Sequence, residues 1–353
     1  MSFATGVIEG FYGRQWHWEQ RLALPERLKH WGYDAYIYAP KGDASLRSAW
    51  QHSFTVSHRQ HLLKLSQSCH QSGILLGVGL SPVGLQAAYT PQDRQLLKAK
   101  VAAIVELGAD ILWVLFDDLP AGNLSLADNQ LAVVNDIRQW QPALKLAVCP
   151  SYYSFDPVLE TLFGVCPENY FADLSKGLDQ DIDLLWTGNR VVSDSYAAED
   201  IARATRLLGR KPLLWDNYPV NDGRKISRFL HLAPFVGRPW QLSQWCSGHI
   251  VNPMNQYHLS GLVLPTLAEL YRSKAAYNSN QAFRAVLANL PTRLAELLLR
   301  DAGSFQSKGL DGINDETKQE LLAEYASVSH PVAVEICDWL EEKYRFDPAC
   351  LTD

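Results

Sequence analysis

The chain has 353 residues, 47% hydrophobic and 11% aromatic, with a formal net charge of −6. This is ample for a large core, and such mild acidity without a Lys/Arg block excludes the basic footprint of a nucleic-acid binder. No apolar run approaches the ~18 residues of a membrane span, and the opening MSFATGVIEG has neither the basic start nor the apolar stretch of a secretory leader.

Short apolar runs recur at 6–11, 35–39, 74–80, 111–116, 144–148, 182–186, 212–215 and, more weakly, 248–251. Their hydrophobicity is nearly continuous, the pattern of parallel strands covered on both faces. Between them, segments such as 94–107 and 197–208 are long enough for crossover helices. Eight such units predict a (β/α)8 TIM barrel of the α/β class over residues 1–270. An open doubly wound sheet is the alternative, but no G-x-G-x-x-G follows the first run.

Beyond residue 270 the strand signal stops. Amphipathic patterns at 281–289, 291–299, 316–325 and 330–344 predict helices, with Pro291 opening one of them. Residues 303–315, rich in Gly, Ser and Asp, read as an exposed loop. Residues 271–353 are thus a small helical C-terminal appendage. The six cysteines form no C-x-x-C pair and read as reduced thiols, so a cytoplasmic protein is expected.

Polar residues close most of the apolar runs: Glu9, then Lys41 and Asp43, then Ser81, and further on Ser151, Tyr153 and Thr187. In a barrel these ends open on one face, where active sites are built. The fourth run ends in two adjacent acids, Asp117 and Asp118. Strand neighbours point to opposite faces, but alternation lapses where the chain bends into a loop. Two carboxyls in one cleft split their protonation, which supplies a base and an acid for glycoside hydrolysis. The plainer alternative makes Asp118 a cap and Asp117 a solvated loop acid.

Seven strings in order tip that balance. GVIEGFYGRQW (6–16), YIYAPKGD (36–43), LFDDL (115–119) and CPSYY (149–153) are followed by LLWTGNRVV (184–192), LLWDNYPVND (213–222) and VNPMNQ (251–256). Together they closely resemble the O-GlcNAcase family of glycoside hydrolases, family 84. The resemblance implies a β-N-acetylglucosaminidase that retains configuration through substrate assistance. The substrate's 2-acetamido oxygen attacks C1 and forms an oxazoline, an exception to the two-carboxylate scheme. Asp117 would orient the acetamido N–H, and Asp118 would act as general acid and then general base.

The same resemblance assigns Gly6 to a sugar hydroxyl through its backbone carbonyl, and Lys41 to another hydroxyl. Tyr153 would support the acetamido oxygen and Trp215 would wall the acetamido methyl. Asn217 would bond the acetamido or leaving-group region, Asp222 would grip the 4- and 6-hydroxyls, and Asn252 would add a further hydroxyl contact. Asp118 is expected to carry a raised pKa. No metal or cofactor is implied; the partner is a β-GlcNAc glycoconjugate or glycoprotein, with no nucleic acid and no membrane.

Three departures from the family pattern bear on loop shape: Gly42 in place of a second acid, Val83-Gly84 after Ser81-Pro82, and Gln15 in place of a proline. His58 and His61, with Cys69 and His70, have a spacing that permits a metal, but no nearby carboxylate completes a site. An endo-acting hyaluronidase-like hydrolase and a non-catalytic GlcNAc-binding protein are the competing functions. The presence of Asp222 favours the exo-acting one.

Overall fold

The computed structural model describes residues 3–352. Eight parallel strands close into a barrel in sequence order: β1 (Ala4–Glu9), β2 (Ala35–Tyr38), β3 (Leu75–Leu80), β4 (Ile111–Leu115), β5 (Lys145–Cys149), β6 (Asp183–Trp186), β7 (Leu213–Asp216) and β8 (Gly248–Val251). Gly6 of β1 stands opposite Ala35 on one side and Ile250 on the other, which joins the first strand to the last. The fold is therefore the barrel rather than the open sheet, and each apolar run of the sequence supplies one strand.

The strands are buried at almost every position because both of their faces are covered. Outside, helices such as Trp18–Trp31, Pro91–Glu106, Ala198–Leu208 and Tyr257–Ser273 return the chain to the start of the next strand. Their ends carry local signals: Thr90 and Asp93 exchange hydrogen bonds as a capping box, and Pro91 follows in the first turn. Inside, side chains fill the barrel. Trp113 and Trp215 meet edge to face across it, ring centres 6.5 Å apart. Gly77 makes room for this packing, since a Cβ there would lie 2.8 Å from Ile37 and 3.2 Å from the Trp113 indole nitrogen.

One crossover is abbreviated. After β7 the helix shrinks to a single turn, Leu242–Trp245, and most of residues 217–241 form a long loop on the C-terminal face of the barrel. Irregular backbone there can carry side chains that no strand positions.

The C-terminal region is helical, with Ser279–Leu287, Thr292–Ser307, Asp315–Ala326 and Pro331–Leu340. Pro291 caps the second of these. The reading of residues 303–315 as an exposed loop is corrected: Gly303 to Ser307 continue the helix Thr292–Ser307. The apolar spacing Leu294, Leu298, Ala302, Phe305 runs on past the glycine, and burial of that stripe outweighs the local breaker signal. Phe305 is 1% exposed and packs edge-on against Trp339 at 5.2 Å. The core is continuous from Val7 in the barrel to Leu340 in the last helix.

A polar clamp adds to it, because Glu335 accepts hydrogen bonds from the backbone N–H groups of His258 and Leu259 at 3.0 and 2.9 Å. These lie at the N-terminus of the helix Tyr257–Ser273, where a carboxylate meets unpaired donors. All six cysteines are free thiols. Among the described residues, no helix is long and apolar enough to cross a membrane.

If the stripe anchors this region, Phe305→Ala will lower the unfolding free energy by about 3–5 kcal/mol. Urea unfolding measures it; a loss below about 0.5 kcal/mol would restore the exposed-loop reading.

Candidate active site

Seven of the eight strand ends, all but that of β3, converge on one cavity at the C-terminal mouth of the barrel. Asp117 and Asp118 both line it. The strand alternation that should separate them is broken by the backbone, since Asp118 takes a left-handed conformation with φ 56°. Aspartate is among the few residues that tolerate that region. The turn brings both carboxylates to one cation. Lys41, just past β2, hydrogen-bonds Asp117 Oδ2 and places its Nζ 3.3 Å from Asp118 Oδ2.

Asp118 is further held by two phenols. Tyr153 donates to its Oδ1 and Tyr12 to its Oδ2, each at 3.0 Å. Tyr12 is itself held by Arg47, whose guanidinium donates to the phenol oxygen at 2.8 Å. The two oxygens of Asp117 differ sharply. Oδ2 is taken by Lys41, whereas Oδ1 is buried without a hydrogen-bond partner. A buried unpaired acceptor costs free energy unless a donor arrives.

The far wall comes from β7 and β8. Trp215 faces the cavity, and its indole nitrogen donates to Asn217 Oδ1 at 2.9 Å. Asn252 donates to the same oxygen at 3.0 Å and accepts from the backbone N–H of Gly10 at 3.2 Å. Asn217 Nδ2 donates to the carbonyl of Val191 at 3.0 Å. The two amides and the indole are therefore locked in one orientation. Asp222, on the loop after β7, accepts from the backbone N–H of Tyr12 at 2.7 Å, which ties the first and seventh strand ends together.

One expected residue is misplaced. Gly6 does not reach the cavity; it sits in the middle of β1, paired on both sides. Gly10, four residues on in the same motif, lines the cavity instead. A Cβ at Gly10 would lie 2.6 Å from the Trp215 ring, so no larger residue fits. Lys41, Asp117, Asp118, Tyr153, Trp215, Asn217, Asp222 and Asn252 all line the cavity.

Several polar strand ends turn outward. Glu9 takes a bidentate ion pair from Arg21 and a hydrogen bond from Tyr36. Asp43 accepts from Tyr38 and Ser45. Asp216, between Trp215 and Asn217, points away into Arg238, with bonds of 2.9 and 2.8 Å, and meets His249 at 3.0 Å. His58 lies 3.0 Å from Asp43 and His61 stacks on Trp18. Among the described residues, no group of three or more His, Cys, Asp or Glu is arranged to hold a metal ion.

Sequence reasoning missed Tyr12, Arg47 and Gly10. Tyr12 had a signal, since it follows Gly10 by two positions in the first motif. Two of the departures in sequence also prove to be linked. Gln15 bonds the carbonyls of Phe11 and Gly13, and a Cβ at Gly42 would lie 3.4 Å from the Gln15 side chain. Glutamine thus packs where an acidic side chain at 42 would begin.

Burial would raise the Asp118 pKa, but Lys41 and Arg47, with the hydrogen bonds of Tyr153 and Tyr12, hold it below the usual carboxylate range. The expectation of a raised Asp118 is corrected for the ligand-free site, because neither Arg47 nor Tyr12 entered it. Burial would depress the Lys41 ammonium, yet Asp117 and Asp118 keep it well above the normal lysine value. Asp222 behaves differently. Burial, with a smaller push from the Asp118 charge, raises it to about 6 against the pull of the Tyr12 N–H. Among the described residues Asp222 makes no ion pair, and the Lys41 charge offsets its burial only in part.

A family model described as beta-N-acetylglucosaminidase matches residues 5–300. The protein O-GlcNAcases of Rattus norvegicus and Mus musculus are each 31% identical to this chain over 283 residues, covering 77% of it and 30% of their own length. The chain thus spans less than a third of these relatives. A solved structure of an aspartate-to-asparagine mutant of a Thermobaculum terrenum O-GlcNAc hydrolase matches with a TM-score of 0.78 at 26% identity, over 96% of this chain and 80% of that one.

The raised pKa of Asp222 has a consequence for stability. A carboxyl of this kind holds its proton more tightly when folded, so its contribution is complete below about pH 3.8 and is lost as pH rises through about 6. The loss is at most about 3 kcal/mol, from about 1.4 kcal/mol per pH unit. Urea unfolding of the parent and Asp222→Asn between pH 4 and 7 will show the parent losing stability relative to the variant. Parallel curves would mean that Asp222 titrates normally.

Proposed function

The chain belongs to the β-N-acetylglucosaminidase family of glycoside hydrolases, the O-GlcNAcase family 84, and from that premise we propose that it releases terminal β-linked GlcNAc by substrate-assisted, retaining hydrolysis. Its relatives by name are O-GlcNAcases, which supports GlcNAc on protein Ser or Thr as the substrate. The observation that carries this reading is the buried, unpaired Oδ1 of Asp117, an acceptor on a residue that lines the cavity. An acetamido N–H is a donor that suits it.

In this reading the steps are as follows. The acetamido oxygen attacks C1 while Asp117 accepts the acetamido N–H and stabilises the positive charge that develops there. The bond from C1 to the leaving oxygen breaks, and that oxygen takes the proton of Asp118. Asp118, now ionised, accepts a proton from water as the water adds to C1 and opens the oxazoline. The free enzyme holds Asp118 ionised. The proton must therefore be acquired with substrate, and Tyr153 provides the means. When its hydroxyl leaves Asp118 Oδ1 for the acetamido oxygen, Asp118 loses a stabilising hydrogen bond and its pKa rises.

The remaining assignments are positional. Trp215 flanks the acetamido methyl, with Asn217 beside it and Asn252 reaching a hydroxyl. Lys41 serves a second hydroxyl once the sugar enters, and Gly10 replaces Gly6 as the first-strand contact. Asp222 grips the 4- and 6-hydroxyls, which supports an exo-acting enzyme over a hyaluronidase-like one.

With an aryl β-GlcNAc glycoside, Asp117→Asn will lower kcat by at least about 10²-fold whatever the leaving group. Asp118→Asn will cost about 10²–10⁴-fold with a poor, serine-like leaving group and far less with an activated aryl one. Unchanged kcat in Asp117→Asn would refute its role, and equal losses for both leaving groups in Asp118→Asn would refute proton donation by that residue.

A further inference from the structure

Residues 344–352 lie apart from the barrel in sequence, yet Cys350 and Thr352 line the same cavity as Asp117, Asp118 and Asp222. The path of this segment is fixed at two loops. Next to the first strand end, the Arg14 guanidinium covers the Tyr344 ring at 4.7 Å, and the carbonyl of Arg345 lies 3.4 Å from where a Cβ on Gly13 would stand. Next to the seventh, Arg224 covers the Phe346 ring at 5.2 Å, two residues beyond Asp222. These are the two loops joined by the hydrogen bond from Tyr12 N–H to Asp222.

From there the chain folds on itself. Asp347 accepts from the N–H groups of Ala349 and Cys350, both at 2.9 Å, and the Cys350 thiol donates to the carbonyl of Thr352 at 3.3 Å. Cys350 is only 7% exposed. Burial raises its thiol pKa, and Asp222 adds the largest electrostatic part, consistent with the thiol facing that carboxylate. A neutral thiol at this place is wall material rather than a nucleophile.

We infer that residues 344–352 are a specificity wall on the Asp222 side of the cavity, which admits a terminal GlcNAc and rejects one substituted at O4 or O6. This rests on the proposed function, in which Asp222 meets those two hydroxyls. A second sugar joined there would extend past Asp222 into the volume that Cys350 and Thr352 occupy. The exo preference then comes from two parts, a carboxylate that rewards free hydroxyls and a segment that leaves no room for a substituent. Rejection by excluded volume needs no loss of affinity for the single sugar.

Binding tests this independently of turnover. Calorimetry on the full chain will compare a thiazoline derived from GlcNAc with one derived from chitobiose, which carries a further sugar on O4. The parent will bind the first at least about 100-fold more tightly. Phe346→Ala, which unpins the segment, and Cys350→Gly, which thins it, will each shrink that ratio by about tenfold or more, so either variant suffices if the other fails to fold. Equal binding of the two ligands by the parent, or an unchanged ratio in both variants, overturns the wall while leaving the proposed reaction intact. Failure of the parent to bind either ligand overturns the wall together with the reading beneath it.

Discussion

The Lys41 ammonium, lodged against two consecutive carboxylates, is the interaction on which the site depends. Burial pushes Asp118 toward its neutral form, and Lys41 is the largest influence that holds it ionised. An opposite charge at about 4 Å contributes about 4 kcal/mol at an effective dielectric of about 20, the same order as the cost of burying one charge. Lys41 meets both acids at once, and Arg47 supplies the second cation through Tyr12. With Asp118 satisfied on both oxygens and Asp117 on only one, a symmetrical pair of residues becomes two chemically different groups.

That asymmetry needs a rigid frame, and the barrel provides it by sending successive side chains of each strand to different tasks. Around β7 the sequence alternates Trp215 inward, Asp216 outward, Asn217 inward. The outward Asp216 is fully buried in a charge network with Arg238 and His249, and Arg238 also bonds the carbonyls of Ser193 and Asp194. Burial opposes the charge of Asp216, but the guanidinium holds its pKa far below the usual range. The seventh strand end is thus tied to the loop after β6. Gly10 plays a related part past the end of β1, letting its backbone approach the Trp215 ring so closely that a methyl group could not intervene.

The sequence showed the barrel because parallel strands buried on both faces leave continuous apolar runs, and polar side chains then mark the strand ends. Eight of the nine site residues drawn from the motifs line the cavity for that reason. Gly6 failed where periodicity is silent: it lies inside β1, whereas Gly10 stands just past the strand end at the cavity, and the sequence pattern does not report that depth. Tyr12 sat in a quoted motif but had no partner to point to until Asp118 and Asp222 were in place. The state of Asp118 was misjudged because a pKa depends on every charge around it, and Arg47 reaches it only through the fold. Residues 303–307 read as loop because a glycine and two serines outweighed a stripe whose anchor, Phe305, lies among them. Nothing in residues 344–352 marks them as cavity lining; their place is set by packing on loops more than a hundred residues away.

The ligand-free charge pattern also bears on the order of events in the proposed reaction. A general acid should enter the reaction protonated, yet Asp118 is surrounded by Lys41, Arg47 and two phenol donors, all of which favour its anion. This fits a site that is armed by its own substrate rather than one held ready. Tyr153 can serve either Asp118 or an incoming acetamido oxygen, but its single proton cannot serve both. Lys41 faces a comparable choice between the carboxylates and a sugar hydroxyl. In that proposal, entry of the sugar would withdraw donors from Asp118 while expelling water, and both changes would raise its pKa. The N–H of the same acetamido group would fill the vacant acceptor on Asp117. In the proposed reaction one small substituent would therefore supply the nucleophile, satisfy the unpaired oxygen and free the acid, so a sugar lacking it would leave the site in its resting charge state.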